Sequence, residues 1–225
     1  MAGRIALVGG DEFRPKCREM DAELVRATGK DRPRLLVVPT AAAHENAPLA
    51  ASHGVDHFQA LGADAAPLMV TTSEHANDEA LISEVDSADL VYFTGGNPAN
   101  LLDVLQGSLL LRKLEDLLER DAILAGSSAG AMVMGSWMRF REWREALGIV
   151  PGVVSLPHHE RSAPESTSED LAANAPADLW ALGIDGATGC LSGPGNWTVL
   201  GSGNVTVYRN GDWQRYVAGE SFSLE

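Results

Sequence analysis

Short apolar runs that do not alternate with polar residues confine this chain to a narrow set of folds. Residues 5–8, the Leu-Leu-Val-Val of Arg34–Val38, Leu90–Phe93 and residues 122–125 are apolar almost throughout, not at every second position. A strand of that kind is covered on both faces. Helix-length stretches separate the runs, at about 15–28, 47–61, 78–85, 99–105 and 109–120, and residues 66–70 read as one more strand. Strands alternating with helices form a parallel sheet with helices on both sides. The expected fold is therefore α/β, doubly wound around a mainly parallel sheet in three α/β/α layers. A chain of 225 residues with 45% apolar content suits one such domain spanning 1–225.

After Trp143 the pattern changes. Residues 152–156 suggest a strand, followed by Pro157-His158-His159-Glu160 and a polar stretch to about residue 174. From 186 onward the chain reads as short β segments. Gly193-Pro194-Gly195-Asn196 and Arg209-Asn210-Gly211-Asp212 have hairpin-turn chemistry. These segments are expected to form a short antiparallel C-terminal extension.

In a doubly wound sheet, ligands sit beyond the carboxyl ends of the strands. Three glycine-bearing loops are expected on that rim: Gly9-Gly10-Asp11-Glu12, Gly95-Gly96-Asn97 and Gly126-Ser127-Ser128. The last opens Gly126-Ser127-Ser128-Ala129-Gly130, a Gly-x-Ser-x-Gly between a strand and a helix, which is the pattern of a nucleophile elbow. Small residues permit the sharp turn and leave Ser128 exposed above the next helix. A serine nucleophile needs a base, and the base needs an orienting acid. Of six histidines, His158 follows a strand 30 residues after Ser128, with His159 as its rival. His53 and His57 are spaced i, i+4 and could chelate a metal, but no third ligand is evident. His44 and His75 read as loop residues. Neither Gly-x-Gly-x-x-Gly nor a phosphate-loop lysine motif occurs. No metal and no cofactor are expected.

A formal charge of −14 argues against nucleic acid or an anionic membrane as partner. No run approaches the roughly 18 apolar residues of a membrane span, and the N-terminal apolar run is too short for a signal peptide. Cys17 and Cys190 have no paired spacing and suggest no disulfide framework. A cytoplasmic location is the expectation.

Taken together, Tyr92-Phe93-Thr94-Gly95-Gly96-Asn97, Gly126-Ser127-Ser128-Ala129-Gly130-Ala131 and Leu147-Gly148-Ile149-Val150-Pro151-Gly152 followed by Pro157-His158 resemble the peptidase E/cyanophycinase family of serine peptidases. Their fold is similar to that of class I glutamine amidotransferases. The resemblance runs nearly end to end, through the 4–10 opening, Pro39-Thr40-Ala41, Leu182-Gly183-Ile184-Asp185 and Leu200-Gly201-Ser202-Gly203. It implies Ser128 as nucleophile, His158 as general base, and the Gly96 and Ala129 N–H groups as the oxyanion hole. Asn97, beside that hole, is expected to contact substrate.

The third member of the triad departs from the pattern. Cyanophycinase-like members carry a Glu after the Gly-Ile-Asp segment, where this chain has Gly186. Peptidase E-like members carry an Asp after the elbow helix, near which Glu142, Trp143 and Glu145 stand here. Glu142 is the expected acid, with Asp185 or no acid at all as the alternatives. The arginine that peptidase E-like members place beyond the catalytic loop is also missing, since residues 162–180 contain no Lys or Arg. Arg161 and the Arg139, Arg141 and Arg144 cluster are the substitutes. The resemblance implies hydrolysis of short peptides, of dipeptidase or exopeptidase type, with aspartyl or β-aspartyl bonds among the candidates, by a protein that could form a homodimer. The alternative is a catalytically impaired, amidotransferase-like protein that binds a small ligand.

Overall fold

The computed structural model describes residues 3–224. The first half of the chain runs β1 (Arg4–Val8), α1 (Arg18–Ala27), β2 (Arg34–Val38), α2 (Ala47–Gln59), β3 (Asp64–Pro67), α3 (Glu79–Ile82), β4 (Leu90–Phe93), α4 (Pro98–Leu105) and α5 (Leu109–Glu119). It continues through β5 (Ile123–Ser127), α6 (Ala129–Met134), β6 (Trp137–Phe140), β7 (Glu142–Glu145), β8 (Val153–Pro157), α7 (Pro164–Asn174) and β9 (Trp180–Ile184). The remainder is strand: β10 (Thr188–Gly193), β11 (Asn196–Gly201), β12 (Asn204–Arg209), β13 (Asp212–Val217) and β14 (Ser221–Phe222). No described helix is long and apolar enough to cross a membrane.

Eight strands form the main sheet in the order β14-β11-β10-β1-β5-β4-β2-β3. β1, β5, β4, β2 and β3 are mutually parallel, and β10, β11 and β14 continue the sheet antiparallel beyond β1. Along each central strand successive side chains serve opposite faces, which is why the runs are apolar throughout. Ala6, Val8, Leu35, Val37 and Tyr92 pack with Met20 and Leu24 of α1 and Phe58 of α2. Leu7, Leu36, Val38, Val91 and Phe93 belong to the opposite layer, with Leu101, Leu114 and Val133 of α4, α5 and α6. Each of these large side chains, once buried, stabilises by about 1.5–3 kcal/mol. Because β5 lies between β1 and β4, the loops leaving these three strands meet on one rim, as the glycine pattern predicted.

The antiparallel C-terminal segments do not form a single extension. β12 and β13 leave the main sheet and join β9 and β8 in a second sheet of order β13-β12-β9-β8, in which β8 and β9 are parallel. Two adjacent crossovers allow this. Ala187 takes φ +52° between β9 and β10. Gly201 takes φ +93° at the end of β11, and a Cβ there would lie 2.4 Å from the Ala187 carbonyl oxygen. The second sheet packs Leu182, Ile184 and Val205 onto the same face as α4–α6.

Three local differences have simple causes. β3 stops at Pro67 instead of reaching residue 70, since proline offers the ladder no donor. The β6–β7 hairpin turns through a single residue, Arg141 at φ +64°, without the Gly, Asn or Pro that signals a hairpin. The polar stretch after His158 contains α7, which starts at Pro164, a residue suited to the first helical position.

Candidate active site

Ser128 sits between the end of β5 and the start of α6 with φ +48° and ψ −105°, a conformation that costs a non-glycine residue about 1–3 kcal/mol. Its surroundings hold it there. Ser128 N–H donates to the Val8 carbonyl of β1 at 2.9 Å, and Met132 N–H donates to the Ser128 carbonyl at 3.0 Å. The flanking glycines serve close approach. A Cβ on Gly126 would lie 2.5 Å from the Gly130 carbonyl carbon, and one on Gly130 would lie 2.9 Å from Cβ of Phe93.

The second sheet delivers the imidazole. His158 follows β8 in a left-handed conformation, φ +52° and ψ +39°. Its N–H donates to the Gly9 carbonyl at 2.9 Å, tying the loop to the end of β1. Gly10, at φ +125°, leaves room for the ring, because a Cβ there would lie 2.2 Å from His158 Cε1. The result is a Ser128 Oγ to His158 Nε2 distance of 3.3 Å. His159 is turned away and buried. Its Nε2 lies 2.6 Å from Tyr208 Oη, and its ring packs so tightly on Gly183 that a Cβ there would be 2.4 Å from Cδ2. Burial pushes the His159 pKa below the ordinary 6.5. Of the two histidines, only His158 faces the serine.

Neither expected acid reaches that histidine. Glu142 is exposed on β7, paired across the hairpin with Phe140, and its assignment as orienting acid is corrected accordingly. Asp185 faces β12, its Oδ2 accepting from Asn204 N–H at 2.9 Å and Asn204 Nδ2 at 2.8 Å. His158 Nδ1 is buried without a hydrogen-bond partner. Two other carboxylates gather at Gly186. Glu160 Oε2 accepts from Gly186 N–H at 2.7 Å, and Asp11 Oδ2 lies 2.6 Å from where a Cβ at 186 would stand. Burial works against the Glu160 charge. Hydrogen bonds from Gly186 N–H and its own N–H, together with the His158 and Arg161 charges, outweigh it and hold its pKa below 4.5.

Gly96 and Ser128 line one cleft with His158. Gly96 takes φ +139°, and a Cβ there would lie 2.4 Å from the Ala41 carbonyl oxygen, so the loop after β4 can pass this close only as glycine. Asn97, expected to contact substrate, also has a structural task. Its Oδ1 caps α4, accepting from Ala99 N–H at 3.0 Å and Asn100 N–H at 3.3 Å. His57 is tied to Asp21 by an Nε2–Oδ2 contact of 2.8 Å. His44 bonds to Asn100, and His75 to Thr71. Among the described residues no group of three or more His, Cys, Asp or Glu is placed to hold a metal ion.

Sequence reasoning overlooked Glu12. Its Oε1 accepts from Gly95 N–H at 2.7 Å and its Oε2 from Ser127 Oγ at 2.9 Å. One carboxylate thereby braces the loop before Gly96 against the residue before Ser128. Its place beside Asp11 in the Gly9-Gly10-Asp11-Glu12 loop was the available signal, since a carboxylate after a glycine turn on the ligand rim can accept from neighbouring loop N–H groups.

The cleft holding Ser128 has a volume of about 580 Å³, and its walls include Met132, Phe140, Arg139 and Asp170. A second cavity of about 850 Å³, lined by Asp11, Glu12, Arg14 and Asp56, meets it at His158. The cysteines play no part in the cleft. Both are free and buried, and burial, with Asp21 nearby, pushes the Cys17 thiol up to about 12.

Comparison with known proteins bears on the fold and the family. The family model of peptidase family S51 matches residues 5–187. A crystal structure of a peptidase from an acI-B1 Actinobacterium superposes with a TM-score of 0.87 at 29% identity, covering 99% of this chain and 97% of that one. A candidate peptidase E protein from Listeria monocytogenes EGD-e superposes with a TM-score of 0.60 at 16% identity, over 96% of this chain and 99% of that one, and shares the fold. No curated protein matches. The serine presented on a strained elbow and the family match over most of the chain lead to one conclusion: this protein belongs to peptidase family S51 and is a serine-type peptidase.

Proposed function

We propose that the protein hydrolyses short peptides through an acyl-enzyme formed on Ser128, with His158 as the proton carrier. The 3.3 Å approach of Ser128 Oγ to His158 Nε2 carries this reading. Ser128 Oγ attacks the amide carbonyl while His158 takes its proton. The tetrahedral intermediate collapses as His158 donates that proton to the leaving amine. Water, deprotonated by His158, then attacks the ester and releases the acid, regenerating Ser128. The N–H groups of Gly96 and Ala129 are the donors for the oxyanion, each worth about a hundredfold or more in rate. Asp11 and Glu160, gathered beside Gly186, supply negative charge that favours the imidazolium formed in each step. A cleft of about 580 Å³ suits a few residues of peptide better than a folded protein chain. Two buried free thiols suit a reducing, cytoplasmic compartment.

One observation favours a second reading, a catalytically impaired protein that binds a small ligand: His158 Nδ1 has no hydrogen-bond partner. Fluorophosphonate labelling separates the two. The peptidase reading requires labelling of the native protein that Ser128→Ala abolishes, followed by turnover within a dipeptide panel. Absence of labelling in a protein with a native melting transition would leave the binding reading standing.

A further inference from the structure

Among the described residues lining the cleft around Ser128, Arg139 is the one Lys or Arg and Asp170 the one Asp or Glu, and they are bound to each other. Arg139 Nη1 donates to Asp170 Oδ2, and Arg139 Nη2 donates to Asp170 Oδ1 at 3.4 Å. Asn174 Nδ2 donates to the same Oδ1 at 2.9 Å and fixes the carboxylate along α7. The guanidinium is also covered on its face, its Cζ lying 5.7 Å from the Trp143 ring centroid. Its fork and its face are therefore both occupied before any ligand arrives. A surface ion pair of this kind adds little to stability. Its effect on a ligand is larger, because Asp170 cancels the one full positive charge that a substrate carboxylate could use in this cleft.

His158 lines both cavities, and in the peptidase reading it hands its proton to the departing amine. That reading assigns the leaving side to the cavity containing Asp11 and Glu12 and the acyl side to the walls formed by Ser128, Met132 and Phe140.

Resting on the peptidase reading above, we propose that Asp170 is a specificity-determining residue. By holding the fork of Arg139 it keeps the Ser128 cleft electrically balanced, so that the cleft accepts an uncharged residue on the acyl side of the cleaved bond and disfavours an acidic one. The Arg139 hydrogen bonds to Asp170 outweigh the effect of its partial burial and keep its pKa below 3.8, so the charge is present throughout the neutral range.

The test is a ratio. Specificity constants for Asp-X and Ala-X or Leu-X dipeptides are measured on the wild type, Asp170→Asn and the double variant Asp170→Asn/Arg139→Gln. The wild type should favour the uncharged acyl residue. Asp170→Asn should raise the acidic-to-uncharged ratio about tenfold, the scale of removing one like charge a few ångströms away at a partly wet site. The double variant should lose that gain. A wild-type preference for the acidic residue, or a ratio unmoved by Asp170→Asn, overturns the proposal. Calorimetric dissociation constants of the same dipeptides on Ser128→Ala score the ordering without turnover. An inactive, unlabelled wild type would therefore refute the peptidase reading, whereas a reversed order of binding, or no binding, would refute the role of Asp170.

Discussion

Removing the Glu12 brace should separate catalysis from substrate binding. In Glu12→Ala, the Gly95 N–H and the Ser127 hydroxyl lose their charged acceptor at 2.7 and 2.9 Å. Ser127 is fully buried, and a buried polar group left unpaired costs about 1–3 kcal/mol. Gly95 is only partly buried, so water can replace part of what its N–H loses. The net loss of stability is then about 2–4 kcal/mol, or a fall in Tm of about 4–16 °C for a chain of this size. The catalytic effect has a different origin. Gly96 follows Gly95 directly, so in the proposed mechanism releasing that loop displaces an oxyanion donor, and loss of one such donor costs about 10²–10³ in kcat. KM should change by less than about threefold, since little ground-state contact is lost. Glu12→Gln keeps a carbonyl acceptor for Gly95 N–H and should recover most of the rate. Steady-state kinetics on the best dipeptide, paired with thermal melts, measure both effects. If Glu12→Ala melts lower yet keeps kcat within twofold, the brace is structural only and the argument linking it to the oxyanion loop is wrong.

Two further outcomes follow from the site. Ser128→Gly relieves a residue held at φ +48° and should raise Tm by about 2–6 °C while abolishing fluorophosphonate labelling; an unchanged or lower Tm would show that the elbow stores no strain. His159 has its pKa lowered by burial from 6.5, so below pH 6.5 the unfolded chain binds a proton that the native one resists. The stability attributable to this group is full above 6.5 and lost as pH falls below it, and Tm should drop between about pH 7 and 5 by less in His159→Asn than in the wild type. Equal slopes for the two proteins would refute this.

Much of the fold was legible because its determinants are local or periodic. Runs such as residues 35–38 are apolar on both faces and can only be strands inside a layered sheet. The turns at Pro194-Gly195 and Asn210-Gly211 announce themselves by residue type. The β6–β7 hairpin was illegible because Arg141 adopts φ +64° at its tip, with no Gly, Asn or Pro to mark the turn. The split of the C-terminal strands between two sheets was illegible for a related reason: pairing partners are chosen by distant segments, here by β9 for β12 and by β1 for β10.

Ser128 and its two glycines could be found in the sequence because an elbow is a local event, a strand end, a tight turn and a helix start within a few residues. The strand order β1-β5-β4, the convergence of Glu12 on Gly95 and Ser127, and the pairing of Arg139 with Asp170 depend on segments up to 119 residues apart, the separation of Arg4 from its β5 partner Ile123. No local pattern encodes such separations. A carboxylate in the sequence has a charge but no direction, so only the packed chain decided that Glu142 would face water, that Asp185 would hold Asn204, and that Asp170 would neutralise the cleft.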